Sequence, residues 1–134
     1  MVTPDDVMLG NLRDHRETLL RALWRIYERL APKWHPDEVL KAVIERRADF
    51  LIRGNDCAVY YVRPDEHTGE PLLWIWAANA ETPAEEYMPI WLALARHLGC
   101  RTVGWDSPRL GYLRRMKALG AELESIKYRV AVNG

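Results

Sequence analysis

The hydrophobic pattern of the sequence changes period at about residue 49, and this change limits the fold more than any other feature. Over Leu12–Leu30, apolar residues fall on one stripe of a helix with about 100° per residue, and charged residues fill most of the other faces. A second helix is predicted from Pro36, with Val39, Leu40, Val43 and Ile44 facing inward. From Asp49 onward, short runs of β-forming residues replace this pattern. We therefore predict a helical part over residues 1–48 and a sheet over residues 49–134.

Strand-type runs and helices alternate after residue 49, and their order indicates a mixed sheet. Three strands follow one another through short turns, and two further strands each follow a helix. The predicted strands lie at 49–53, 57–63, 71–78, 101–105 and 122–132, and the two later helices at 82–98 and 108–120. We predict one α/β (α+β) domain over residues 1–134, with antiparallel N-terminal strands in a mixed central sheet, flanking helices and two helical crossovers.

The helix at 82–98 carries recognisable start signals. Thr82 is expected to be its N-cap, with Pro83 at the first helical position and Glu85 completing a capping box. Pro89 is expected to kink this helix or to mark its true start, because proline removes a backbone donor.

The charges balance overall but are unevenly distributed. The 134 residues carry 19 basic and 19 acidic side chains, so the formal net charge is zero. Residues 54–106 carry three arginines against eight acidic residues, a balance of −5. Residues 107–134 carry six basic and two acidic residues, a balance of +4. A generally basic nucleic-acid-binding protein is therefore disfavoured.

No segment has the composition of a membrane span or of a secretory signal. No run approaches the ~20 apolar residues that cross a bilayer, and the first ten residues lack the basic and apolar parts of a signal. Cys57 and Cys100 are not paired by their spacing, which fits a reducing cytoplasm. We expect no membrane partner.

The sequence lacks the common motifs for metal binding and nucleophilic catalysis. The four histidines fall in separate elements, and the one close pair, His97 with Cys100, is too little for a structural zinc site. There is no G-x-S-x-G elbow, no G-x-G-x-x-G and no P-loop. Cys100 enters a strand, where a small buried thiol is the ordinary outcome. We expect no metal.

Three tryptophans are candidates for contacts with a partner protein. Trp74 and Trp76 alternate with Ile75 in one strand, so we expect both indoles on one face of the sheet and Ile75 on the other. Trp105 lies on a neighbouring strand. Each of them either fills a core or anchors a partner, and core filling is the simpler role for any single one.

Three arginines on the predicted 108–120 helix are the other partner-binding candidates. Arg114 and Arg115 fall on the face opposite the apolar arc, where a solvated face is the simplest account. Arg109 falls inside that arc, where its side chain either extends to solvent or points into a cleft. A nucleic-acid contact through these cations is a third, weaker hypothesis.

The order of elements and several segments resemble GNAT-type N-acetyltransferases. The segments that carry this likeness are 49–52 followed by Ala58-Val59, then 73–78, 99–103, Arg109 and 116–121. More narrowly, the sequence resembles small GNAT-like proteins encoded among the virion and morphogenesis genes of tailed phages, which include internal virion proteins of short-tailed phages. The likeness covers most of residues 36–132.

One loop departs from the pattern that this resemblance implies. GNAT enzymes bind the pyrophosphate of acetyl-CoA on a Gly-rich, usually Arg-containing loop between the central strand and the crossover helix. Here residues 79–89 contain no Gly and no basic residue, but three Glu and two Pro. A carboxylate ~4 Å from a phosphate is repelled by about 4 kcal/mol at an effective dielectric constant of 20. Met116 also occupies the position of the tyrosine that many of these enzymes use as general acid.

These departures favour a non-catalytic GNAT-like phage protein that acts by protein–protein binding in virion assembly, or as a minor structural component of the particle. No cofactor is then expected. The expected partners are other phage structural or assembly proteins or a second copy of the chain, in the host cytoplasm during assembly and in the virion.

The alternative is an acetyl-CoA-dependent N-acetyltransferase with a divergent cofactor loop. Its catalytic base would be Glu81 or Glu85, and its acid Tyr112 or Tyr128. The resemblance implies that acetyl-CoA would then contact three residues, Ala78, Asn79 and Arg109.

Overall fold

The computed structural model describes residues 2–107 and 126–132. A 3₁₀ turn at Pro4–Asp6 precedes strand β1 (Met8–Leu9) and helices α1 (Leu12–Leu30) and α2 (Pro36–Ile44). The elements that follow are β2 (Asp49–Arg53), β3 (Asp56–Pro64), β4 (Pro71–Asn79), α3 (Ala84–His97), β5 (Thr102–Ser107) and β6 (Ile126–Ala131).

The strands form one six-stranded sheet in the order β1–β2–β3–β4–β5–β6. All neighbouring strands are antiparallel except β4 and β5, which are parallel because α3 crosses over between them. The predicted mixed α/β fold with antiparallel N-terminal strands and flanking helices is therefore confirmed.

The helices cover the two faces of the sheet separately. Helices α1 and α2 bury residues such as Leu19, Leu23 and Val39 against Phe50 and Val59 of the sheet. The other face carries a second cluster, to which α3 contributes Trp91 and Ala95. The buried members of this cluster are Tyr60, Leu73, Trp91, Ala95, Cys100 and Val103. Each fully buried large apolar side chain stabilises the fold by roughly 1.5–3 kcal/mol, so these two clusters fix the sheet between its helices.

The inward stripes of α1 and α2 are confirmed except at their ends. Leu30 and Ile44 were expected to face inward, but both are exposed. Each is the last residue of its helix, so the chain leaves the sheet surface at that point.

The start of α3 differs from the prediction. Thr82 is not the N-cap, because Pro83 occupies that position without a side-chain cap hydrogen bond and the helix begins at Ala84. The Thr82 hydroxyl instead accepts a hydrogen bond from Arg53. The helix continues through Pro89 to His97, so Pro89 does not mark its start.

Two further differences concern the strands. β1 was not predicted, because two residues are too short to show a strand period; Met8 and Leu9 pair with Ile52 and Leu51. β5 extends to Ser107 rather than ending at Trp105. The helix predicted at 108–120 lies outside the described residues.

Candidate functional site

A β-bulge interrupts the pairing of β3 and β4. Tyr60 pairs with Ile75 and Val59 pairs with Ala77, so Trp76 of β4 has no partner residue on β3. A bulge bends its strand and re-aims the local side chains. Trp76 and Ala77 accordingly both pack with the cluster under α1 and α2, although strict alternation would put neighbours on opposite faces.

Strands β4 and β5 separate at the same level of the sheet. Their parallel ladder has four residue pairs and ends at Ile75–Trp105. β4 continues through Trp76–Asn79, and no described strand pairs with this segment on its β5 side. The backbone N–H and C=O groups on that edge are therefore available to an extended ligand.

A cleft of about 1220 Å³ opens where the two strands separate, and it has walls on both faces of the sheet. On one face the wall comes from β4 and α3, with Ala78, Ala84, Tyr87 and Met88. On the other face it comes from residues 29–34, which are the end of α1 and the start of the connection to α2, together with Arg63 and Trp76 of the sheet. The described lining of the cleft therefore comes from both faces of the sheet.

A network of polar side chains holds the loop between β4 and α3. Nη1 of Arg53 donates to the Thr82 hydroxyl at 3.1 Å and to the Tyr87 hydroxyl at 3.4 Å. The Tyr87 hydroxyl in turn donates to Oδ2 of Asp56. Oδ1 of Asp56 accepts the Glu81 N–H at 3.0 Å. The fold therefore brings a cation from the end of β2 to a loop that has no basic residue of its own.

The ionisation of this network follows from its contacts. Partial burial disfavours the Asp56 carboxylate, but hydrogen bonds from Tyr87, from the Glu81 N–H and from Thr82 together keep the pKa of Asp56 below its usual value. Burial, with the hydrogen bond to Asp56, raises the pKa of Tyr87. Asp56 is therefore ionised and Tyr87 a neutral donor at physiological pH.

Burial also makes the two thiols of the chain unreactive. Cys57 and Cys100 are both buried. Burial raises the pKa of Cys57 to about 12 and also raises the pKa of Cys100. Because the thiolate is the nucleophilic form, neither residue supports nucleophilic catalysis at neutral pH. Within residues 2–107 and 126–132, no group of three His, Cys, Asp or Glu side chains is positioned to hold a metal ion.

The residues predicted for the loop are distributed over two environments. Ala78 lines the cleft. Asn79 instead lines a separate cavity of about 50 Å³ against α1. Glu81 and Glu85 are exposed, in the loop and in the first turn of α3. They do not line the cleft themselves but are next in sequence to the lining residues Ala80 and Ala84, beyond the end of β4. We call this position the mouth of the cleft.

The three candidate tryptophans all line the cleft, but they do not all project from the same face of the sheet. Trp74 is buried, with 6% of its surface exposed, and Trp76 is half-buried against the α1–α2 cluster. Ile75 packs with the opposite cluster, as predicted. Trp105 pairs with Ile75 and packs with that opposite cluster too. A role of these three residues in binding a partner protein stays a prediction.

Several predicted residues fall in the undescribed part of the chain. Arg109, Tyr112, Arg114 and Arg115 lie outside the described residues. Tyr128 is on β6, in register with Trp105.

Two cleft residues went unnoticed in the sequence. Arg63 is on β3 and Asp106 near the end of β5, and both line the cleft. Asp106 is the first residue after the last β4–β5 pair. Each looks like an ordinary polar position of a strand when only periodicity is considered. The strand order was the available signal, since it places the carboxyl ends of β4 and β5 together.

Comparisons with solved structures identify the architecture. The chain is similar to a probable acetyltransferase, with a TM-score of 0.60 and 10% identity over 86% of this chain and 87% of that one. It is also similar to a ribosomal-protein-alanine N-acetyltransferase from Brucella melitensis biovar Abortus 2308, with a TM-score of 0.58 and 18% identity over 78% and 80% of the two chains.

A third similar structure is an aminoglycoside acetyltransferase from an uncultured soil metagenomic sample, in complex with trehalose. Its TM-score is 0.55, with 12% identity over 90% of this chain and 91% of that one. The chain has a GNAT acetyltransferase fold. No protein-family model and no curated protein matches the sequence.

These neighbours correct the functional expectation. The hypothesis of a non-catalytic phage structural or assembly protein is wrong, because the named structures that share the GNAT fold are acetyltransferases and favour the alternative. The protein partner and self-association stay predictions. No helix in the described residues is both long and apolar enough to cross a membrane.

Proposed function

We propose that the protein is an acetyl-CoA-dependent N-acetyltransferase. The observation that carries this proposal is the bulge at Trp76 together with the end of the β4–β5 ladder at Ile75–Trp105. These two features open a cleft through the sheet beside an unpaired strand edge. Because the cleft is lined from both faces of the sheet, we expect the donor and the acceptor to meet there from opposite faces.

The residues on the α3 side of the cleft fit acetyl-CoA. The edge of Trp76–Asn79 offers backbone donors and acceptors to the amides of its pantetheine arm. The Ala84 and Glu85 N–H groups lie in the first turn of α3, which has no side-chain cap, so they can donate to phosphate. Both hydrogen bonds of Arg53 to this loop use Nη1, which leaves Nη2 and Nε for a phosphate oxygen.

Acetyl-CoA supplies the acetyl group as a thioester. The new bond forms between the amine nitrogen and the acetyl carbon, and the C–S bond breaks. The amine loses one proton and the leaving thiol gains one, so the protons balance. The chain's own part is to align the two reactants and to accept the proton. Asp106 is suited to that second role. Its side chain is exposed beside the last rung of the ladder, and its carboxylate forms no ion pair or hydrogen bond within the described residues.

The acidic loop weakens the affinity for acetyl-CoA rather than abolishing it. Glu81 and Glu85 are exposed, and a pair of like charges ~4 Å apart in bulk water costs about 1 kcal/mol, against about 4 kcal/mol at an effective dielectric constant of 20. Arg53 opposes this repulsion from across the loop. The missing glycines are consistent with a cofactor site that uses fewer backbone amides.

Calorimetric titration with acetyl-CoA tests the proposal. We expect saturable binding in the micromolar range, and roughly tenfold weaker binding by Arg53→Gln because a charge-assisted contact is lost. Arg16→Gln is the matched control, because Arg16 is exposed on α1 away from the cleft. Hydrogen exchange on the same samples should show protection of Trp76–Asn79 by acetyl-CoA.

Two results would contradict this function. One is the absence of saturable binding to the wild-type protein. The other is binding that protects a segment other than Trp76–Asn79 and the first turn of α3.

A further inference from the structure

The face of the cleft next to the α1–α2 connection carries an arginine, Arg63, that no carboxylate of residues 2–107 or 126–132 neutralises. Arg63, near the end of β3, pairs with Leu72 of β4. Its guanidinium carbon lies 3.8 Å from the centroid of the Trp74 ring, and its Nε is buried without a hydrogen-bond partner. Both residues line the cleft.

Two cations of β6 near this part of the cleft are neutralised by carboxylates. Arg129 binds Asp65, and Lys127 forms an ion pair with Glu66 at 3.3 Å. In contrast, Arg63 forms no ion pair within the described residues. The charge of Arg63 is therefore available to a ligand.

The geometry of Arg63 suits a carboxylate. Stacking on Trp74 fixes the plane of the guanidinium and buries one of its faces. The N–H groups lie in that plane, so they can meet the two oxygens of a carboxylate in a bidentate pair. Because Nε is buried, the two Nη atoms are the donors that such a carboxylate would meet.

A complementary negative group lies on the same face of the sheet. Trp74 pairs with Gly104 of β5. Asp106 lies two residues after Gly104 on the same strand, and two residues of a strand span about 6.6 Å. Residues two apart in a strand project to the same face. The wall therefore offers a cation at Arg63 and an anion at Asp106 on the same face of the sheet, and a ligand with an amine and a carboxylate carries the complementary charges.

We propose that the acceptor is an amine that also carries a carboxylate, such as an amino acid or the end of a short peptide, and that Arg63 stacked on Trp74 binds this carboxylate. The proposal rests on the acetyltransferase function proposed above, and it names the acceptor class of that site. Arg63 determines specificity, while Asp106 receives the amine.

The test uses matched probes that differ only in this group: L-amino acids and ω-amino acids, each paired with its carboxamide. Binding is measured by ligand-observed NMR on the free protein and on the protein saturated with coenzyme A, and acetyl transfer is measured separately. Within the pair that binds most tightly, we expect the amino acid to bind at least tenfold more tightly than its carboxamide. Arg63→Gln should lose this preference, and Arg13→Gln, an exposed arginine on α1, should keep it.

Three results would overturn the proposal: equal or tighter binding of the carboxamides, binding of neither series, or a carboxylate preference that survives in Arg63→Gln. If Arg63→Gln fails to fold, Arg63→Lys should still reduce the preference, because an ammonium neither stacks as a plane nor binds a carboxylate bidentately. If the wild-type protein does not bind acetyl-CoA, the proposed function is contradicted. If it binds acetyl-CoA but shows no preference for the carboxylate ligands, only this inference is contradicted.

Discussion

Gly10 shows how one neighbour can determine the identity of a residue. Its N–H donates to the Phe50 carbonyl at 2.7 Å. A Cβ atom at this position would lie 2.1 Å from Cε2 of the Phe50 ring. Phe50 is fully buried in the cluster under α1 and α2, and a close-packed interior leaves the ring little room to move. The absence of a side chain at Gly10 is what lets β1 approach the core.

Gly10→Ala should therefore destabilise the protein. We expect a loss of about 1–3 kcal/mol in the free energy of unfolding, as for other overpacked core positions, measured by urea denaturation. Phe50→Leu removes the ring atoms that clash, so the cost of Gly10→Ala should be smaller in the Phe50→Leu background. Fully additive effects of the two substitutions would show that the ring is not the obstacle.

At the scale of elements, an ion pair fastens the loop between β3 and β4 to the edge strand β6. Asp65 is buried, accepts the His67 N–H at 2.7 Å and binds Arg129 through both of its oxygens. Arg129 also donates to the Thr102 hydroxyl at 3.4 Å. The contact therefore joins three segments of the chain that are far apart in sequence.

The stability of this attachment should depend on pH. The hydrogen bond from the His67 N–H, opposed by burial and helped by Arg129, keeps the pKa of Asp65 below its usual value of 3.8. A carboxyl group with a lowered pKa in the folded state contributes stability above its unfolded pKa, and this contribution is lost as the pH falls through the folded pKa. Asp65→Asn should lower the melting temperature at pH 7, and its difference from wild type should shrink below about pH 4. A difference that stays constant from pH 7 to pH 3 would exclude this role for the charge.

Helices and strands with a clear hydrophobic period were predictable from the sequence, whereas features that depend on one residue, such as the bulge at Trp76, were not. The stripe of α1 and the β-forming run of β3 each repeat over several residues, so they indicate their own structure. The bulge at Trp76 is one extra residue inside an apolar run, and no pattern distinguishes it from regular strand. The pairing of Arg53 with Thr82 spans 29 residues, so only the folded sheet reveals it. For this reason the loop at 79–89 was interpreted without the cation that the fold supplies.

At the scale of the whole molecule, zero net charge conceals a charge distribution that bears on the cleft. Residues 54–106, with their balance of −5, form β3, β4, α3 and β5, the elements that build most of the cleft wall. An anionic donor must therefore approach an acidic part of the chain. Arg53 and the first turn of α3 attract it locally, whereas Glu81 and Glu85 repel it.

This competition predicts how the affinity for acetyl-CoA responds to charge and salt. Glu81→Gln/Glu85→Gln should bind acetyl-CoA more tightly, by roughly two- to tenfold, because two exposed like charges at the mouth are removed. Added salt screens the repulsion as well as the attraction, so the wild-type affinity should fall less between 50 and 300 mM salt than that of the variant. Glu17→Gln/Glu28→Gln changes the net charge equally on the exposed face of α1 and should leave the titration unchanged. If both double variants bind acetyl-CoA more tightly to the same extent, the cause is the net charge. If Glu81→Gln/Glu85→Gln binds acetyl-CoA as the wild type does, the acidic loop does not affect the affinity.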